Sequence, residues 1–162
     1  MSEPRPTYRT RRKAEERVRE PRRSVVGLRG ARVSEHDEQA TFVTQARLLY
    51  GGREDFFEPL LFSVPNGMWA GGSNPFALIA KFKAEGMREG VSDMLYLQPR
   101  GEYAYLAIEM KATDKRNSKD AVSPAQEEFL ECVNAAGGWG EVCYGADEAL
   151  QILSTYMSME AR

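Results

Sequence analysis

Apolar residues recur along this chain in two spacings, helical steps of three and four and strict alternation, and the switches between them divide it into elements. Phe42, Val43, Ala46, Leu49 and Tyr50 follow helical steps behind Ser34-Glu35-His36-Asp37-Glu38-Gln39. Ser34 is a good N-cap, and an acid at the third position completes a capping box, so the pattern predicts a helix to about Tyr50 that Gly51 and Gly52 end. His36 reads as an exposed first-turn residue. Leu60 to Val64, between Pro59 and Pro65, predicts a short strand, and Asn66-Gly67 a turn. A glycine-rich loop carrying Trp69 precedes a helix capped by Asn74, opened by Pro75 and stopped by Gly86. Val91 to Leu97 and Tyr103 to Met110 are two strands of a hairpin joined by the turn-forming Gln98–Glu102 segment. A polar stretch after Lys111 is expected to be mobile. Ser123-Pro124-Ala125-Gln126 opens a helix with a second capping box, and its predicted core face is Phe129, Leu130, Val133 and Ala136. Gly137-Gly138, a strand at Glu141–Tyr144 and a final helix from Asp147 to Met157, with Ala149, Leu150, Leu153 and Met157 inward, complete the chain.

Polar residues stand in the hairpin where a buried strand should be apolar. Side chains alternate faces along a strand, so Glu109 and Lys111 share one face while Ile108 and Met110 take the other. The registers that the Gln98–Glu102 loop allows bring Asp93 to the Glu109 face, either directly opposite or one rung away. Two carboxylates and an ammonium on an apolar hairpin cost free energy unless compensated, and a divalent cation is the simplest compensation. Hard cations such as Mg²⁺ take oxygen ligands and keep several waters. Asp93, Glu109 and the Met110 carbonyl supply candidate ligands, and Lys111 would face a metal-activated water attacking phosphorus. Glu-x-Lys alone is a common pair, and an exposed edge-strand ion pair would look the same.

Composition sets the surroundings. The 162 residues, 42% of them apolar, suit one domain with a core plus a tail. No apolar run reaches the length of a membrane span and the Arg-rich start lacks an apolar signal core, so an intracellular, cytoplasmic protein is expected. Cys132 and Cys143 lack metal or disulfide spacing and are expected to be buried. Residues 1–30 hold ten Lys or Arg against four Glu, whereas residues 31–162 hold twelve basic and twenty acidic residues. The first segment, poor in apolar residues, is expected to be a disordered basic arm, able to touch phosphates or simply solvated. Lys81, Lys83 and Arg88 cluster just before Asp93, where they would neutralise backbone phosphates or only solvate the surface.

Val-Ser-Asp93 followed by Ile-Glu109-Met-Lys111 resembles the PD-(D/E)xK nuclease signature, with Ser92 where that pattern usually has proline. With Lys83-Ala-Glu-Gly86-Met-Arg-Glu-Gly90, Val64-Pro-Asn66-Gly67 and Gln126, the sequence is similar to the VRR-NUC (virus-type replication-repair nuclease) domain in the stand-alone form of phages and prophages. The likeness runs from about Ser34 to Tyr156. It implies a restriction-endonuclease-like αβββαβ core, a mixed four-stranded sheet flanked by helices, occupying residues 31–162. It also implies that Glu35, in Glu35-x-x-x-Gln39, joins the metal site and that Gln126 serves the active site. The capping box alone would explain Gln126, and one amide is not expected to meet both roles fully.

The implied activity is Mg²⁺- or Mn²⁺-dependent DNA cleavage on branched substrates of replication, repair or recombination, by a homodimer, leaving 5′ phosphates. A catalytically weak DNA-binding factor that retains the fold is the alternative. A third reading makes Asp93 and Glu109 the acid and base of a glycoside hydrolase, which Lys111 beside Glu109 disfavours.

Overall fold

The computed structural model describes residues 33–65 and 75–162. The basic segment 1–30, the Asn66-Gly67 turn, the loop with Trp69 and the Asn74 cap lie outside the described residues. Among the described residues four α-helices and four strands form, in the order α1 (Glu35–Tyr50), β1 (Leu61–Ser63), α2 (Pro75–Ala84), β2 (Met94–Tyr96), β3 (Leu106–Lys111), α3 (Pro124–Ala135), β4 (Trp139–Tyr144) and α4 (Ala146–Met157). The sheet runs β1-β2-β3-β4, antiparallel across the first two pairings and parallel between β3 and β4. It is the expected mixed α/β arrangement.

Both capping boxes form as the sequence predicts. Ser34 Oγ accepts from Asp37 N at 3.1 Å, and Ser34 N donates back to Asp37 Oδ2 at 3.1 Å. The seam of α1 that packs inward is Phe42, Ala46 and Tyr50. Leu49, expected in the core, is 62% exposed. Steps of four residues advance about 40° around a helix, so by Tyr50 the buried stripe has turned away from Leu49. On α3 the same comparison replaces Ala136, which is exposed, by Asn134. That amide donates to Leu130 O at 2.7 Å and accepts from Gly140 N at 3.2 Å, riveting α3 to β4. Cys143 is buried, but Cys132 lies on the outer face of α3 and is exposed, against expectation.

The hairpin pairs Met94 with Ile108 and Tyr96 with Leu106, one of the two predicted registers. Its strands are shorter than predicted, and beyond them the connecting segment is held by isolated backbone bridges from Arg100 to Tyr103 and Ala161 together with side chains. Arg100, only 2% exposed, reaches Asp55 Oδ2 at 3.0 Å, the Asp55 carbonyl, and the carbonyls of Met157 and Met159, each at 3.3 Å. Gln98 Nε2 donates to the Asp55 carbonyl at 2.9 Å, and Tyr156 Oη donates to the Gln98 carbonyl at 2.7 Å. β1 is also shorter than the predicted Leu60–Val64 run because Glu58–Leu60 forms a 3₁₀ turn. Val64 N still donates to Asp93 O at 2.8 Å, holding Asp93 against the edge strand.

β3 is buried along its whole length. Leu106, Ile108 and Met110 join Met94, Tyr96 and Cys143 in the main core, covered by α1 and α4. Ala107, Glu109 and Lys111 take the opposite face, against which α3 packs. Removal of this many apolar groups from water supplies the driving force that holds a charged pair inside the sheet.

Ser92 is completely buried and its hydroxyl has no hydrogen-bond partner. A buried unpaired hydroxyl carries its full desolvation cost, so Ser92→Ala is expected to stabilise the protein by about 1 kcal/mol. Equilibrium urea unfolding measures it, and a loss of stability would mean that the hydroxyl has a partner.

Candidate active site

The register extends one rung past Met94 and Ile108, which sets Asp93 opposite Glu109. Asp93 Oδ2 accepts from Met110 N at 2.8 Å, so the strand itself fixes the first carboxylate. Glu109 is fully buried. Its Oε1 receives the Lys111 ammonium at 2.8 Å and a hydrogen bond from Gln126 Nε2. Its Oε2 has no partner. Burial, and then the neighbouring Asp93 charge, push the Glu109 carboxyl up to about 8. Lys111 is held above its ordinary value: burial pulls it down, but Glu109, Glu35 and Asp93 outweigh that. The lysine is therefore a cation, unsuited to act as a base at neutral pH.

Gln126 shows why one amide fills two roles. Its oxygen accepts from Ser123 N at 2.9 Å to close the capping box, while its nitrogen donates to Glu109. The cap fixes the side chain, and the fixed side chain orients the carboxylate. This corrects the expectation that the roles would compete.

Glu35 is exposed on the first turn of α1, close enough for its charge to raise Lys111. Three residues on, Glu38 was not singled out by the sequence. Its Oε1 accepts from Thr113 Oγ1 at 2.8 Å and its Oε2 from Ala146 N at 2.8 Å, capping α4 from another helix. Gly145 N donates to Lys111 O at 2.9 Å, so this clasp holds the end of β3. An acid at a first turn looks like ordinary capping of its own helix; only the fold brings the start of α4 beside it.

The segment after Lys111 is anchored and does not match the mobile loop expected. Residues Thr113–Lys115 form a 3₁₀ turn, and Arg116 pairs with Glu148 at 2.7 Å while lying over the Tyr144 ring at 5.0 Å. Of the three basic residues, Lys81 faces Glu85 at 3.7 Å and Lys83 binds Glu89 at 2.6 Å. Arg88 has no carboxylate partner among the described residues.

Gly90 joins this group to the acids. Its φ is +80°, and a Cβ there would overlap the Ala125 carbonyl group and stand 2.8 Å from Gln126 N. Gly90→Ala is expected to cost about 2–4 kcal/mol, combining left-handed strain with overpacking, and to loosen Gln126 from Glu109. Thermal unfolding would show it; an unchanged midpoint would mean the turn rebuilds freely.

Among the described residues no three His, Cys, Asp or Glu side chains cluster as a metal cage. What the face offers is two adjacent carboxylates, one with a buried unpartnered oxygen, which suits a hard cation that retains most of its water. The residues present fit such an ion.

The mixed four-stranded sheet thus carries two acids and a lysine on one face. The family model of the VRR-NUC domain matches residues 71–147, a span that contains Asp93, Glu109, Lys111 and Gln126 but not Glu35. A solved structure titled "VRR_NUC domain protein" superposes with a TM-score of 0.63 at 24% identity, over 83% of this chain and 94% of that one. That likeness carries the fold, and the domain match implies nuclease-type function. No curated protein matches the chain. No described helix is long and apolar enough to cross a membrane.

Proposed function

We propose that the protein is a Mg²⁺- or Mn²⁺-dependent DNA endonuclease that acts inside the cell, in its cytoplasm, on branched replication, repair or recombination intermediates. The observation that carries this reading is the Asp93–Glu109 pair, with Lys111 on the same face and Glu109 Oε2 left without a partner. Asp93, Glu109 and the Met110 carbonyl would hold the cation. When bound, such an ion lowers the pKa of a coordinated water and offsets charge building on the phosphate.

The chain's own residues do the rest. Asp93 is oriented by Met110 N and Glu109 by Gln126, so both carboxylates are set before a substrate arrives. Lys111, protonated, orients the attacking water and stabilises charge developing on the phosphoryl oxygens. Glu35 supports the site from the first turn of α1 through a water. Arg88 contacts backbone phosphate, as do Lys81 and Lys83 when they exchange their glutamate partners for it. The basic segment 1–30 adds salt-sensitive, sequence-independent attraction to the nuclease domain at 31–162. Hydrolysis by this route leaves a 5′ phosphate and a 3′ hydroxyl, and a homodimer would present two such sites to two strands.

The test is cleavage of labelled four-way junction, flap and linear duplex DNA with Mg²⁺, Mn²⁺ or chelator. Cuts that need the metal and favour branched DNA are expected. Binding without cutting under either metal would leave a DNA-binding factor that keeps only the fold.

A further inference from the structure

Beside the acids lies a cleft of about 630 Å³ that the reading above does not use. Ile79 and Phe82 of α2, Met87 and Val91 on the following turn, and the start of α3 line it. Its walls are largely apolar, while Arg88, Glu89, Ser123 and Gln126 contribute polar groups to the same lining. Gln126 is the amide that grips Glu109, so an occupant would sit one side chain from the reactive face. The volume falls in the range of small-molecule sites and is far too small for a duplex.

Charge narrows the occupant. The Lys83 ammonium and the Glu89 carboxylate satisfy one another. Arg88, also in the lining, faces no carboxylate among the described residues, so its guanidinium remains available to an anion. An apolar slot beside a guanidinium that faces no carboxylate among the described residues matches a nucleotide, whose base has two apolar faces and whose phosphate is anionic.

Resting on the nuclease reading, we propose that this cleft seats one unstacked nucleobase of the DNA strand being cut, with Arg88 on an adjoining phosphate. A base paired inside a duplex cannot enter such a cleft without leaving its stack, and extrusion is easiest where the nucleotide is already unpaired. The preferred substrate class is therefore DNA with an unpaired nucleotide next to the cut, at a flap, gap or junction. Gly90 is the device that forms the site, because its close approach to Ala125 brings the Met87–Val91 turn against α3.

The experiment uses the full chain carrying Lys111→Ala, to prevent cutting, with Mg²⁺ and flap DNA that holds 2-aminopurine at its unpaired position. Binding is expected to change the probe's fluorescence at least about twofold. Met87→Phe, at a 39% exposed position and without change of charge, is expected to narrow the cleft and abolish that change while duplex affinity stays the same. Arg88→Ala is expected to weaken flap binding about tenfold. Tight flap binding with an unaltered probe, or equal affinity for flap and blunt duplex, would overturn the cleft assignment. If the otherwise unmodified chain cuts blunt duplex and flap equally in Mg²⁺, and Met87→Phe alters neither, the cleft falls and the nuclease stands. A probe response that Met87→Phe abolishes, when the chain that keeps Lys111 cuts no DNA with Mg²⁺ or Mn²⁺, supports the cleft and retires the nuclease reading.

Discussion

Lys111→Ala should slow Mg²⁺-dependent DNA cleavage by roughly 10²–10³-fold, the usual loss when one preorganised electrostatic group is removed. Its effect on folding should be much smaller at neutral pH, and the reason lies in its partner. Glu109 already holds its proton up to about pH 8. Without the ammonium it holds it more firmly, so near pH 7 no bare charge is stranded in the sheet. The destabilisation appears above pH 8, where the carboxyl must ionise with only Gln126 to receive it. Cleavage rates and thermal midpoints at pH 7 and 9 separate the two effects. Full activity in the variant would remove Lys111 from the chemistry, and unfolding at pH 7 would show that it is needed for structure.

Glu109→Gln separates stability from activity in the opposite direction. In metal-free protein the folded Glu109 binds its proton more tightly than the unfolded chain, whose value is near 4.5, because burial and Asp93 raise it to about 8. The folded state thus binds more protons across that window. The contribution of this carboxyl to stability is greatest below about pH 4.5 and is lost as pH rises toward 8, by on the order of 1.4 kcal/mol per unit of separation before Lys111 and solvent relaxation reduce it. Other carboxylates with lowered values, such as Asp55 near 2, have lost their dependence well below this window. A neutral amide cannot ionise, and its nitrogen can donate to Asp93. The chelated variant is expected to unfold at a nearly constant temperature from pH 5 to 8.5 and to exceed the native chain at the upper end, while cutting no DNA. Parallel pH curves for the two proteins would mean that Glu109 titrates normally.

The hairpin was legible because period two leaves little freedom. Once Ile108 and Met110 face the core, Glu109 and Lys111 must face away from it, and two registers were enough to place Asp93. Gln126 was visible through its capping box, but the division of one amide between cap and carboxylate was not, because that depends on where α3 lands on the sheet. Arg100 illustrates the opposite case. Between Pro99 and Gly101 an arginine looks like a solvated turn residue, yet it is among the largest buried side chains of the described residues. Apart from the Asp55 carboxylate its partners are backbone carbonyls, which every residue has, so no residue type near the end of α4 announces them. Glu38 was hidden in the same way, since its receptor is a backbone N–H more than a hundred positions later. Contacts written in side-chain pattern could be read, and contacts to distant main chain could not.

The Arg100 anchor also bears on the order in which the molecule assembles. The carbonyls of Met157 and Met159 that receive the guanidinium lie 57 and 59 residues after it. On a ribosome adding roughly 5–20 residues each second, those carbonyls emerge seconds after the arginine. Until then the far end of the hairpin holds a cation that has Asp55 but lacks its two later carbonyl partners, and closing that loop is a long-range, entropically slow step. The β2–β3 pairing that carries Asp93 and Glu109 can form early, but its locked form waits for the last turn of α4. The face that carries Asp93 and Glu109 is thereby completed only after α4 has been synthesised.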